Sequence, residues 1–244
     1  MGLRTLLNPR FPASVALSID GRDVTVAVRV SDRAKSYRLS ISPRSGPVLT
    51  VPRRGRWADA EAFLVRHTGW LGARLQSASP AARLEDGGSV PLRDVAHRIV
   101  SLDRPRGLVM RIEGADGPEI HVPGGSLHCR RRLLDWLRAQ ARTDLEAACA
   151  IHAANLGVEV AGIALRDQSS RWGSCSSARR LNFNWRLVMA PPFVLDYVAA
   201  HEVAHILEMN HAPRFWRTVE RTLPDYERGR AWLKANGQGL MAID

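Results

Sequence analysis

Residues 192–206, PFVLDYVAAHEVAHI, are apolar nearly all round, interrupted by Asp196 and, toward the end, by two histidines and a glutamate. A helix of that pattern is buried on every side. Buried imidazoles and a buried carboxylate cost several kcal/mol, roughly, unless something pairs with them. Whatever the chain folds into must enclose this helix and supply a partner for His201, Glu202 and His205.

A metal ion satisfies all three groups. In a helix His201 and His205 lie one turn apart and project side by side. Two imidazoles on that pitch can bind one Zn2+ at about 2.0–2.1 Å each. Glu202, beside the first imidazole and offset from the metal axis, can take a proton from a metal-activated water, the logic of the HExxH zinc hydrolases. Zinc also needs a third protein ligand and an open position. Glu208, His211 and Glu220 are the candidates. Glu208 would have to bend along its own helix, and Glu220 lies on the following one. His211 is the choice: Asn210 can adopt the left-handed geometry that ends a helix, and a chain turning there brings the ring back under the metal.

The rest of the chain divides by character. Residues 1–125 read mostly as strands, with a hairpin at Asp20-Gly21, further strands in SYRLSIS and GPVLTVP about the turn PRSG, and short strands in VAHRIVSL, GLVMRIE and EIHVP. One helix is predicted at about 57–77, and SASPAARLEDGG reads as a loop. From Ser126 a long amphipathic helix runs to Asn155 and Gly157. GIALRDQ and LNFNWRLVMAP are strand candidates joined by SSRWGSCSSARR, and two short helices close the chain, ended by Pro224 and Gly237. No internal repeat stands out.

The net charge is +11, with lysine only at Lys35 and Lys234. Residues 1–125 carry +7 and residues 126–244 carry +4. A basic surface can attract nucleic acid. No aromatic-interleaved motif accompanies the charge, and a composition biased toward arginine gives a solvated basic face without a partner. Cys129, Cys149 and Cys175 are odd in number and widely spaced, so neither a zinc ribbon nor a disulfide framework is indicated. Reduced thiols, no signal-peptide pattern at the start and no apolar run near the roughly 20 residues of a membrane span point to the cytoplasm.

SRWGSCS, LNFNWRLVMAP, YVAAHEVAHILEMNHAPRFW and PDYERGRAWL, in that order between Ser170 and Leu233, resemble the YgjP-like bacterial zinc metallopeptidases, relatives of the SprT-like and WLM proteases. RAKSYRLSI, LTVPRR and HTGWLGARL, within residues 33–75, are similar to the family's amino-terminal region. The resemblance implies an α+β fold: a small zincin-like catalytic domain at 126–244, with an active-site helix, a backing helix (126–155) and a mixed sheet, preceded by a β-rich region at 1–125. It implies His201, His205 and His211 as ligands and Glu202 as base, the same set that the physical argument selects. In RWGSC, Arg171 and Ser174 are candidate substrate or transition-state contacts. Trp172 is read as packing, Gly173 as supplying backbone freedom and Cys175 as a packed thiol. Phe215 and Trp216 are expected to hold His211 in place, and histidines 67, 97, 121, 128 and 152 to be ordinary.

The expected activity is peptide hydrolysis, with a peptide lying extended along an edge strand formed by LNFNWRL. Two alternatives use the same residues: hydrolysis of nucleotide phosphoanhydrides, with arginines on the phosphates, and a SprT-like protease associated with DNA.

Overall fold

The computed structural model describes residues 11–19, 21–42, 46–76, 84–168 and 171–243. Asp20, the turn residues 43–45 and residues 77–83 of the expected loop lie outside these. The fold is α+β, and the chain divides into two compact units, Met1–Pro80 and Ala81–Asp244. None of the described helices is long and apolar enough to cross a membrane.

In the first unit, β1 (Ser14–Ile19), β2 (Arg22–Ser31), β3 (Arg38–Ser42) and β4 (Gly46–Pro52) form a sheet of order β1-β2-β4-β3. The alternation in VTVAVRV turns Val24, Val26, Val28 and Val30 to one face. There they meet Leu49 and Val51 of β4 and the helices that follow. The helix expected at 57–77 is two helices, α1 (Trp57–Arg66) and α2 (Thr68–Gln76), broken at His67. Side chains occupy the last carbonyls of α1: His67 Nδ1 lies 2.7 Å from Phe63 O, and Thr68 Oγ1 donates to Val65 O at 2.9 Å. The break lets Ala60, Leu64 and Leu71 all reach the core.

In the second unit, β5 (Ser89–Leu92), β6 (Val95–Leu102), β7 (Met110–Gly114) and β8 (Gly117–Pro123) form a sheet of order β5-β6-β8-β7. The 31-residue α3 (Ser126–Leu156) follows, ended by Gly157 at φ +66°. Its buried stripe repeats every three or four residues. Cys129, Leu133, Leu137 and Ala141 pack on Ile99, Ile120 and Val122 of this sheet. Leu145 and Cys149 pack on the apolar helix instead. One helix thus joins sheet and site, so residues 81–125 belong with α3, although the sequence changes character at Ser126. The β5–β6 turn, Arg93-Asp94, takes positive φ at both residues, as a two-residue hairpin requires. Its amides donate to Val188 O and Met189 O, and Arg93 makes a two-pronged bond to Asp144 at 2.9 and 2.8 Å.

The two four-stranded sheets repeat one another, against the expectation of no internal repeat. Each is an antiparallel hairpin, a parallel central pair and a second antiparallel hairpin, followed by a helix. Their registers coincide: Val28 opposite Leu49 corresponds to Ile99 opposite Ile120, and Arg38 opposite Thr50 to Met110 opposite His121. The third-position strands read GPVLTVP and GPEIHVP. Outside that segment the copies share pattern rather than identity, and their hairpins differ in length, which hides the repeat from a linear reading.

The remaining strands β9 (Gly162–Arg166), β10 (Gly173–Cys175) and β11 (Arg180–Asn184) form a mixed sheet of order β10-β11-β9. LNFNWRLVMAP is not one strand. Asn184 accepts a bond from Arg186 N and starts a 3-10 turn, Trp185–Met189, which is buried throughout. Three helices complete the unit: α4 (Pro192–Ala204), α5 (Pro213–Thr222) and α6 (Tyr226–Met241). α6 runs past Gly237, expected to end it. That glycine is buried against Trp172, and a Cβ there would stand 3.1 Å from the indole nitrogen.

Candidate metal centre

α4 begins at Pro192, where a missing N–H costs nothing, and buries residues on all sides, from Val194 to Ala204. His201 is half-buried on its last turn and His205 caps it with helical φ and ψ. Beyond them the chain tightens, Ile206 N bonding Val203 O and Leu207 N bonding Ala204 O. Asn210 does not adopt the left-handed conformation expected of it; the tightened turn and the bond from Ala212 N to Asn210 O reverse the chain without it. α5 then starts at Pro213.

This path brings three imidazoles together. His201 Nε2 lies 3.2 Å from His205 Nε2 and 3.0 Å from His211 Nε2, and all three ligand atoms fall within 4.8 Å of one another. Nitrogens about 2.0–2.1 Å from a tetrahedral zinc stand roughly 3.3 Å apart, so the donor set fits that ion. His205 Nδ1 lies 3.0 Å from Glu208 O; donating there leaves the Nε2 lone pair directed at the cluster. Burial, then the neighbouring His205 and His211, push His201 down to about 3, so its ring is neutral, the form that ligates. Of the other candidate ligands, Glu208 pairs with Arg214 at 3.1 Å. Glu220 is exposed on α5, outside the cluster.

Aromatic rings hold the imidazoles. Phe215 stacks on His205 at 4.4 Å and meets His201 and His211 edge-on at 4.8 Å. Trp216 lies 5.9 Å from both His201 and His211, and Tyr197 backs His201 at 5.8 Å. Arg230 sits 4.4 Å over Trp216 while paired to Glu227. Tyr197 and Arg230 lie within the segments YVAAHEVAHILEMNHAPRFW and PDYERGRAWL, but nothing in their spacing assigned them a place beside the imidazoles.

Glu202 is buried beside the cluster, and its Oε2 has no hydrogen-bond partner. Burial pushes its carboxyl up to about 8, and the Arg171 guanidinium opposes that shift. Its carboxylate rests on the backbone of β10. A Cβ on Gly173 would stand 2.4 Å from Glu202 Oε1, so this glycine provides room; its φ is not positive, and backbone freedom is not its purpose. Strand alternation sends Ser174 to the other face, where its hydroxyl accepts from Asn182 at 3.4 Å. Arg171, exposed, thus acts on Glu202 through its charge, while the Ser174 side chain lies on the other face of the strand. β10 is the edge of its sheet. β11, which holds the expected edge sequence, is enclosed between β10 and β9.

Residues 35–236 match a family model described as YgjP-like, metallopeptidase domain. No curated protein matches the chain. A solved structure described as the metallopeptidase zymogen of Pyrococcus abyssi abylysin is 19% identical, with a TM-score of 0.34, over 37% of this chain and 93% of that one.

Proposed function

The chain belongs to the YgjP-like metallopeptidase family, and from that premise we propose a zinc-dependent peptidase in which His201, His205 and His211 hold the ion and Glu202 is the general base. One observation carries the reading: three imidazole Nε2 atoms converge beside a buried carboxylate that has an unsatisfied oxygen. When bound, zinc supplies Lewis-acid polarisation of a carbonyl and brings water acidity into the neutral range. Glu202 takes the proton of the attacking water at its carboxylate and delivers it to the leaving amine. Burial raises the proton affinity of Glu202, which suits a group that must hold a proton before passing it on. Arg171 opposes negative charge building on the substrate oxygen. The peptide adds as a strand to β10, the free edge beside Glu202. Residues 126–244 hold all of these groups and are read as the zincin-like catalytic domain. A cytoplasmic location accords with three unpaired thiols.

The test is Glu202→Gln, assayed on peptides with metal analysis of the same preparation. Turnover falls by about 100-fold or more while one zinc per chain remains. An active, zinc-loaded variant rejects Glu202 as base. Loss of zinc on His211→Ala, with retention on Glu208→Ala and Glu220→Ala, is the expected ligand pattern.

A further inference from the structure

The division at Pro80 concentrates the charge. Residues 1–80 contain 13 Arg and Lys against 5 Asp and Glu, a net of +8; residues 81–244 contain 22 against 19, a net of +3. The repeated sheet supplies an internal control. Residues 81–125, which build the second copy, contain 6 basic and 7 acidic side chains. A composition biased toward arginine would mark both copies alike, and the shared fold does not require the cations.

The excess gathers at one end of the first sheet. Arg29, Thr50 and Arg38 form a row across β2, β4 and β3 on the face opposite the helices. With strands about 4.8 Å apart, the two arginines are roughly 10 Å from each other. The corresponding row of the second sheet is Val100, His121 and Met110. Next to the first row, the β2–β3 loop presents Arg33 and Lys35, and residues 53–56 add three arginines. Tyr37 ties these loops together: its hydroxyl accepts from Arg56 N at 2.9 Å and donates to Arg56 O at 3.1 Å. All seven cations are exposed. Among the described residues, the ion pair in this patch is Arg53 with Asp32.

We propose that this face of the first unit binds the phosphate backbone of a nucleic-acid duplex, without reading its sequence. Guanidinium groups suit phosphate oxygens, and backbone contacts require cations and small polar groups such as Thr50. The row carries no aromatic ring on which unpaired bases would stack, which favours a duplex over a single strand. It also lacks the aromatic or apolar anchor around which protein interfaces are built.

Fluorescence anisotropy of the full chain with a short labelled DNA duplex, across a salt series, tests the proposal. The logarithm of affinity falls linearly with the logarithm of salt. The double variant Arg29→Gln/Arg38→Gln lowers that slope by about 2 and weakens low-salt binding by roughly tenfold or more. Arg98→Gln/Arg111→Gln, on the second sheet, leaves both unchanged. Calorimetric melting of the unit that carries each substitution verifies that the variant is folded. Absence of salt-dependent binding, equal effects of the two variants, or preference for the matching single strand or for polyglutamate overturns it.

Discussion

At Gly173 one hydrogen atom separates a working cradle from a blocked one. Alanine there puts a methyl 2.4 Å from Glu202 Oε1, so either the carboxylate or the strand must move. On the proposed role of Glu202, Gly173→Ala should keep zinc and lose turnover by roughly 100-fold, the scale of a displaced general base. Ser174→Ala, on the opposite face, should stay near wild type in kcat. Parallel peptide kinetics on both variants check the contrast, and equal losses would refute it. The convergence of His201, His205 and His211 was legible in the sequence, because a one-turn spacing and a short reversal fix where the rings go. The reason for Gly173 was not. It depends on the approach of a strand and a helix that are distant in sequence, and a glycine shows only its permissiveness until its neighbour is known.

Between elements, buried polar contacts do what spacing cannot. His152 on α3 is buried and stands 2.9 Å from Asp196 Oδ1 on α4 and 2.8 Å from Thr222 Oγ1 on α5. It links the long helix to the helix of His201 and to the one that follows His211. His152→Ala should cost about 1–2 kcal/mol, since it removes two hydrogen bonds but leaves Asp196 partly open to water and Thr222 Oγ1 still bonded by Asn155 Nδ2, and chemical denaturation measures it. Phe215→Ala, which removes a fully buried ring stacked on His205, should cost about 3–5 kcal/mol and lower zinc occupancy as well. Read from sequence, His152 is an ordinary histidine, because nothing in its spacing points 44 residues ahead to Asp196. Most strands and helices were legible from periodicity. LNFNWRLVMAP misled because a buried 3-10 turn and a buried strand are both continuous apolar runs, and only the Asn184 side chain distinguishes them.

Over the whole molecule, each unit has its own core, and all three imidazoles lie in the second. On the proposed zinc reading, removing the ion should therefore lower the melting of the second unit and leave the first unmoved. At a zinc concentration near 1,000 times Kd the difference is about 4 kcal/mol. Calorimetry with and without chelator resolves it, and a uniform shift of the whole transition would contradict the independence of the cores. The boundary at Pro80 escaped a linear reading because strand-rich sequence continues across it to residue 123. The repeated sheet has a consequence for how the chain reaches its native state. Two sheets of the same order and register offer each central strand a second acceptable partner during refolding, in the same chain or in another. β4 and β8, with their shared Gly-Pro start and Val-Pro finish, are the strands most open to that error. Exchange between chains would trap domain-swapped dimers, and their yield after refolding should rise with protein concentration.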